Sequence, residues 1–259
     1  MSKLSVIIIT KNEEINIVDC INSCKFADEI IVIDSGSTDK TICLAKANGA
    51  LVYEQPWLGY GKQKNIAIEH TNNEWVLSID ADERVTDELA KEIKNAISWG
   101  EFKVYEIPRY SLFVSKFMNH SGWQPDRVTR LFKKGFASFS IHQVHEHLAT
   151  KHPIGRLDEN IIHYSYRNFE MVLNKVNSYS TAGALDLNSI GIQGSLKKAF
   201  FHASWAFFRT YIIRVGFLDG KEGIMLAISN AEVTYYKYIK LLYIQKNNPH
   251  LTANNKQVP

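Results

Sequence analysis

The chain has 259 residues, 45% of them hydrophobic and 22% charged, enough for one large domain or a domain with an appendage around a sizeable core. That composition excludes a disordered or fibrous chain, and a net charge of +3 is too small to imply a nucleic-acid partner. Three cysteines, Cys20, Cys24 and Cys43, give neither an even disulfide framework nor a paired metal-ligand spacing, so a reduced compartment is expected.

The first apolar run, Val6-Ile7-Ile8-Ile9, reads as a strand. It is too short for a leader or a membrane span and is followed by Lys11 and two glutamates, so a cytoplasmic protein is expected. Helical spacing follows over 13–24, where Cys20 and Cys24 lie four apart and read as small buried apolar residues. An apolar strand covers 29–33, a helix 38–48 stops at Gly49, and a short strand occupies 51–53. A helix over 62–70, a strand over 75–79 and a helix over 87–97 continue the alternation. Repeated β-α units with short loops predict an α/β fold, a Rossmann-like sandwich with a mostly parallel central sheet.

After Gly100 the rhythm changes. Short aromatic and β-branched runs at 104–107, 129–132 and 136–140 predict mixed or antiparallel strands added to one side of the sheet. From Asn168 the pattern is helical, over 170–188, 196–215 and 222–245. The expected division is a sheet domain over 1–167, a helical extension over 168–246 and a polar, disordered tail over 247–259. There is no internal repeat.

The segment Leu77-Ser78-Ile79-Asp80-Ala81-Asp82-Glu83 is an apolar strand that ends in carboxylates, and ligands bind at the carboxyl ends of parallel strands. A bend there brings Asp80 and Asp82 toward one region, although Asp82 and Glu83 also read as turn residues before the next helix. Glu13 and Asp34 end two other strands. Gly36 allows a tight turn after Asp34, and Ser37 or Thr38 is a candidate cap for the following helix. Three acidic strand ends in one cleft repel anions, and a divalent cation such as Mg²⁺ or Mn²⁺ resolves the conflict by taking further oxygens from a substrate diphosphate. Lys62 and Lys64 add positive charge near the third strand. Neither a G-x-G-x-x-G nor a G-x-x-x-x-G-K-[ST] is present, against a dinucleotide cofactor and a P-loop.

The set Ser5-Val6-Ile7-Ile8-Ile9-Thr10-Lys11-Asn12-Glu13-Glu14, Ile31-Val32-Ile33-Asp34-Ser35-Gly36-Ser37-Thr38-Asp39, Lys64-Asn65 and Asp80-Ala81-Asp82-Glu83 resembles the family 2 inverting glycosyltransferases of GT-A fold. More closely, Trp123-Gln124-Pro125-Asp126-Arg127, Arg130-Leu131-Phe132, Val144-His145-Glu146 and Gly216-Phe217-Leu218-Asp219-Gly220 look like the lipopolysaccharide-core β-1,4-glucosyltransferase branch. The likeness covers nearly the whole chain except the tail. It implies a UDP-sugar donor, with Thr10 and Glu13 framing the base pocket, Asn12 among the nucleotide contacts, Asp34 accepting from the uracil ring and Asp80 facing the ribose. Asp39 and Asn65 join the nucleotide contacts by the same likeness, Asp39 reading equally as a helix-start residue. Asp82 would bind the metal.

Inverting transfer needs a group that takes the proton of the attacking acceptor hydroxyl, and charge neutralisation on the departing diphosphate. For the base, Glu146 is preferred and Asp126, beside Arg127, is second; Asp126 also reads as half of a structural ion pair. His163 reads either as a satisfied core histidine or, by likeness to GT-A enzymes, as a further metal ligand or diphosphate contact. Arg127 and Arg130 are candidate phosphate or acceptor contacts, with solvated surface as the alternative. His142, His145, His147 and His152 match no familiar zinc spacing.

Between 196 and 246 eight basic residues stand against three acidic ones, interleaved with Phe200, Phe201, Trp205, Phe207, Phe208, Tyr211 and Phe217. Such helices suit either an anionic inner-membrane surface presenting a lipid-linked acceptor, or packing within the chain or against a second copy in a homo-oligomer. The expectation is a hexosyltransferase acting from UDP-glucose on an inner-core heptose of lipopolysaccharide or lipooligosaccharide. The alternatives are a polyprenyl-phosphate or capsule acceptor, and a non-catalytic nucleotide-sugar-binding assembly partner.

Overall fold

A computed structural model describes residues 2–140 and 147–247, so Glu146, His142, His145 and the tail from 248 lie outside the described residues. The chain divides into two compact units. One comprises the residues through Tyr110 together with Pro125–Tyr164; the other comprises Ser111–Gln124 together with the described residues from Ser165 onward. The stretch 111–124, expected with the sheet domain, is therefore grouped with the helices.

The first unit runs β1 (Leu4–Thr10), α1 (Ile17–Ser23), β2 (Glu29–Asp34), α2 (Thr41–Ala47), β3 (Leu51–Glu54), α3 (Tyr60–Glu69), β4 (Trp75–Asp80), β5 (Glu83–Val85), α4 (Asp87–Trp99) and β6 (Val104–Phe113), where the chain leaves it. After the excursion through β7 (Lys116–Phe117) it returns as β8 (Arg127–Lys133), β9 (Ser138–Phe139), β10 (Leu148–Ala149), β11 (Ile154–Arg156) and β12 (Ile161–Tyr166). The sheet order is β3-β2-β1-β4-β8-β6. Strands β3, β2, β1 and β4 are parallel, β8 is inserted antiparallel between β4 and β6, and β11 pairs parallel with β6. Alternation along β1 sends Val6 and Ile8 to one apolar layer, with Leu77, Ile17, Ile21, Leu89 and Ile93, and Ile7 to the other, with Ile31, Ile33 and Val76. Both faces of the sheet are thus covered.

Two helices start later than their spacing predicts. Glu13 to Asn16 form a turn, closed by Asn16 N–H donating to the Glu13 carbonyl at 2.9 Å, before α1 begins at Ile17. Ser37 and Thr38 do not cap α2, because the Ser37 hydroxyl donates to Asp34 and Thr38 to Asn12; Asp39 accepts the Thr41 N–H at 3.0 Å instead. Helix α4 has a regular start, Thr86 Oγ1 accepting from Leu89 N–H at 3.1 Å with Asp87 and Glu88 in the first turn.

The second unit contains β7, α5 (Phe169–Ser189), α6 (Leu196–Phe208), a π-helical turn Arg209–Ile213, a 3₁₀ turn Gly216–Asp219 and α7 (Lys221–Asn247). Asn168 and Ser195 cap α5 and α6 through their side chains. The helix expected over 196–215 therefore ends its regular course at Phe208. Among the described residues no helix is long and apolar enough to cross a membrane.

Asp219 organises this unit. Its buried carboxylate accepts from the N–H of Asn119 (3.2 Å) and of His120 (3.1 Å) and from the Ser121 hydroxyl (2.8 Å), while Glu222 accepts from the Ser115 hydroxyl at 2.6 Å. Gly216 and Gly223 touch so closely that a Cβ on Gly223 would lie 1.8 Å from the Gly216 carbonyl oxygen. Asp219→Ala removes the buried acceptor shared by two backbone N–H groups and the buried Ser121 hydroxyl and is expected to cost about 2 kcal/mol, read as a lower urea midpoint by far-ultraviolet circular dichroism; an unchanged midpoint would contradict this anchoring role.

Candidate active site

Register places the strand-end residues side by side. Thr10 pairs with Asp34 across β1 and β2, and Ile9 with Asp80 across β1 and β4, so Thr10, Asp34 and Asp80 line one edge of the sheet. Asp34 is fully buried. One of its oxygens accepts from the N–H of Gly36 (2.9 Å) and Ser37 (2.7 Å), the other from the hydroxyls of Thr10 (3.0 Å) and Ser37 (2.5 Å). These four donors fill its lone-pair positions and fold 34–37 into a tight turn, in which Gly36 takes a φ of +86°.

The turn after β1 is tied to the turn after β2. Asn12 holds a left-handed φ of +55°, and its Oδ1 accepts the Thr38 N–H at 2.8 Å, while its own N–H donates to the Ser37 hydroxyl at 2.8 Å. Glu13 N–H donates to Thr41 Oγ1 at 2.8 Å, and Glu14 N–H to Asp39 at 3.2 Å. Thr10, Asn12, Glu13, Asp34 and Asp39 are therefore brought together as the sequence predicts, by mutual bonds between two loops 25 residues apart in the chain.

A chain of charges runs away from Asp80. Its carboxylate is clasped by Lys64 Nζ at 3.0 Å and by Arg130 at 2.5 Å. Arg130 also reaches Glu83 at 3.2 Å, Arg109 reaches Glu83 at 3.4 Å, and Arg109 Nε meets Asp126 at 2.8 Å. Glu83 is fully buried, and its second oxygen accepts the Asp80 N–H at 2.9 Å. Neither Glu83 nor Arg109 was singled out in the sequence, although an acid directly after the carboxylate pair and an arginine inside an aromatic strand are both visible there.

Burial alone would raise the Asp80 carboxyl, but the charges of Arg130 and then Lys64 outweigh it and hold it well below the usual carboxylate range. A group depressed in the folded state contributes stability above its unfolded pKa of about 3.9, and loses it as pH falls through the folded value. The stability difference between the wild type and Asp80→Asn is accordingly expected to be constant above about pH 5 and to shrink below about pH 4, by urea denaturation across pH. A gap that does not shrink in acid would contradict the ion-pair account.

Asp82 and His163 are brought together by strands distant in sequence. β12 runs antiparallel to β5 with His163 opposite Glu83, the Tyr164 N–H donates to the Asp82 carbonyl at 2.9 Å, and the His163 Nε2 lies 3.3 Å from the Asp82 carboxylate. The Asp82 side chain is 32% exposed. One hard carboxylate and one imidazole, partly open to solvent, fit Mg²⁺ or Mn²⁺, which take one or two protein ligands and complete their shells with water and substrate phosphates. Among the described residues no group of three His, Cys, Asp or Glu side chains forms a metal cage.

Other predicted residues have different surroundings. Asn65 donates to the Phe139 carbonyl and accepts its N–H, both at 2.9 Å, so its amide fastens α3 to β9. Lys62 is exposed on α3, and it is Lys64 that joins Asp80. Arg127 and Arg130 are three apart on β8, an odd spacing that sends them to opposite faces: Arg127 pairs with Glu106 at 2.9 Å and the Leu157 carbonyl, whereas Arg130 joins the charge chain. His147 lies 3.3 Å from the Ser140 hydroxyl and His152 packs on Phe136.

Residues 5–173 match the profile of Glycosyl transferase family 2. The chain belongs to this family. The glycosyltransferase is 33% identical to an uncharacterized glycosyltransferase of Rickettsia typhi, over 100% of this chain and 93% of that one. It is 28% identical to the lipopolysaccharide core biosynthesis glycosyltransferase LpsC of Rhizobium meliloti, over 91% of this chain and 93% of LpsC. Among solved structures, S. aureus TarS 1-349 in complex with UDP superposes with a TM-score of 0.50 at 16% identity, covering 95% of this chain and 92% of that one. The α/β fold with its mostly parallel sheet is the GT-A fold, and the expected fold, family and enzyme class all hold.

Proposed function

We propose that this glycosyltransferase is an inverting, divalent-metal-dependent enzyme that moves a hexose, glucose from UDP-glucose, onto an inner-core heptose of lipopolysaccharide or lipooligosaccharide. The reading is carried by the Asp82–His163 pair at the end of β4, beside the Lys64–Asp80–Arg130 cluster. The acceptor class rests on the likeness to LpsC across 91% of the chain.

The linked turns at 10–13 and 34–39 frame the nucleotide base, with Asp34 holding the turn in shape, and Asp80 faces the ribose. Asp82 and His163 hold Mg²⁺ or Mn²⁺, which when bound supplies positive charge to the diphosphate. The acceptor oxygen forms its bond to the anomeric carbon as the bond to the diphosphate breaks, UDP departs with the electron pair, and a carboxylate takes the hydroxyl proton. Glu146 and Asp126 are the two candidates for that base. Glu146→Gln is expected to lower kcat by about 10³-fold with a flat pH profile, and Asp126→Asn by about tenfold through loss of the Arg109 contact; the reverse order would transfer the role to Asp126.

The test is UDP release from a panel of UDP-sugars with Mg²⁺ or Mn²⁺, with and without lipopolysaccharide core lacking its outer hexoses. Acceptor-stimulated release from UDP-glucose is expected. Release stimulated only by a polyprenyl phosphate, or turnover unaffected by a chelator, would overturn the acceptor or the metal respectively.

A further inference from the structure

Helix α6 is built the wrong way round for a helix whose large apolar residues belong in the interior. Ala199 and Ala206, seven apart, are its buried positions, at 0% and 6% exposure. Phe201 (72%), Trp205 (50%) and Phe208 (46%) fall on the opposite side at i, i+4 and i+7, and Trp205 and Phe208 touch ring to ring with centroids 6.0 Å apart. The exposed apolar surface continues past the helix through Ile213 and Leu218. An aromatic face this size, turned outward, marks a docking surface.

Its charges say what covers it. At 100° per residue, Lys197 lies on one flank of the aromatic stripe, and Lys198 and Arg209 on the other. Arg214 follows the π-helical turn and Lys221 opens α7, and all five are exposed. The sole acid between 196 and 221, Asp219, is buried and spent on Asn119, His120 and Ser121. A second copy would meet this face with the same face across a twofold axis, setting five cations against five, and lysines are depleted from protein interfaces. An anionic phospholipid surface offers the opposite charge to the flanks and an apolar depth for the rings.

The geometry points to α6 and the turns that follow it as an interfacial membrane-binding face that lies on an anionic bilayer without crossing it. This stands independently of the donor and acceptor assigned above, because it uses residues of the helical unit only.

The experiment is co-sedimentation of the full chain with vesicles of phosphatidylethanolamine and phosphatidylglycerol, against vesicles of phosphatidylcholine alone. Anionic vesicles are expected to bind at least about tenfold more tightly, and raising salt from about 0.05 to 0.5 M to remove most of that gain. F201S/W205S, at exposed positions, and K197A/K198A are each expected to lower binding by about tenfold or more with circular dichroism unchanged. Trp99→Ser, at a tryptophan of the other unit that is more exposed than Trp205, is expected to bind as the wild type does. Equal binding to both vesicle types, wild-type binding by either double variant, or equal loss in Trp99→Ser would overturn the proposal. So would a dimer in sedimentation velocity that F201S/W205S dissolves, since the face would then belong to a second copy.

Discussion

Asp82→Ala is expected to reduce metal-dependent turnover by about 10³-fold or more, the size of loss that follows when charge stabilisation of a leaving group is withdrawn. The argument is local. Asp82 carries an accessible carboxylate just beyond β4, paired with the imidazole of His163 at 3.3 Å and outside the Lys64–Asp80–Arg130 cluster, so removing it exposes no buried charge of that cluster. Folding should therefore survive, with the melting temperature within a few degrees of the wild type, while activity is lost. Turnover measured against Mn²⁺ concentration checks it, and turnover within about tenfold of the wild type would remove the metal assignment.

Glu83 behaves in the opposite way. Its side chain is fully buried, one oxygen shared by Arg130 and Arg109 and the other accepting the Asp80 N–H. Breaking a buried ion pair by removing one partner typically costs about 3–5 kcal/mol, because the remaining charge keeps its desolvation penalty without compensation. Glu83→Ala is expected to fall in that range by urea unfolding. Glu83→Gln keeps the shape and the bond to the Asp80 N–H, and should cost about half as much. Equal stability of Glu83→Ala and the wild type would mean that Arg130 and Arg109 are held by their other partners alone.

Much of this was legible in the sequence, and the exceptions share a physical cause. The β-α alternation through Trp99 is a matter of period, 2 against 3.6, and period is printed in the chain. So is the placement of Thr10, Asp34 and Asp80, since each ends an apolar run in a parallel sheet. What could not be read was pairing between distant strands. Family likeness named His163 beside Asp82 as a metal ligand, but the pattern did not show why they meet: β12 lies antiparallel to β5, about eighty residues away, and a three-residue strand such as Glu83–Val85 has no periodic signature of its own. For the same reason Glu83 read as a turn residue when it is the hub of a charge chain. Arg127 and Arg130 read together as candidate phosphate or acceptor contacts, but an odd spacing on a strand sends the two side chains to opposite faces, and the pair separates. Ser37 and Thr38 had the right chemistry for capping and were claimed first by Asp34 and Asn12.

The most direct measurement of the central claim is calorimetric titration of UDP into the full chain with and without Mn²⁺, repeated for Asp82→Asn and His163→Ala. If these two side chains hold the ion that receives the diphosphate, Mn²⁺ raises UDP affinity by about tenfold or more in the wild type, and each variant loses most of that gain while keeping its metal-free affinity. A metal effect of equal size in all three proteins would contradict the account.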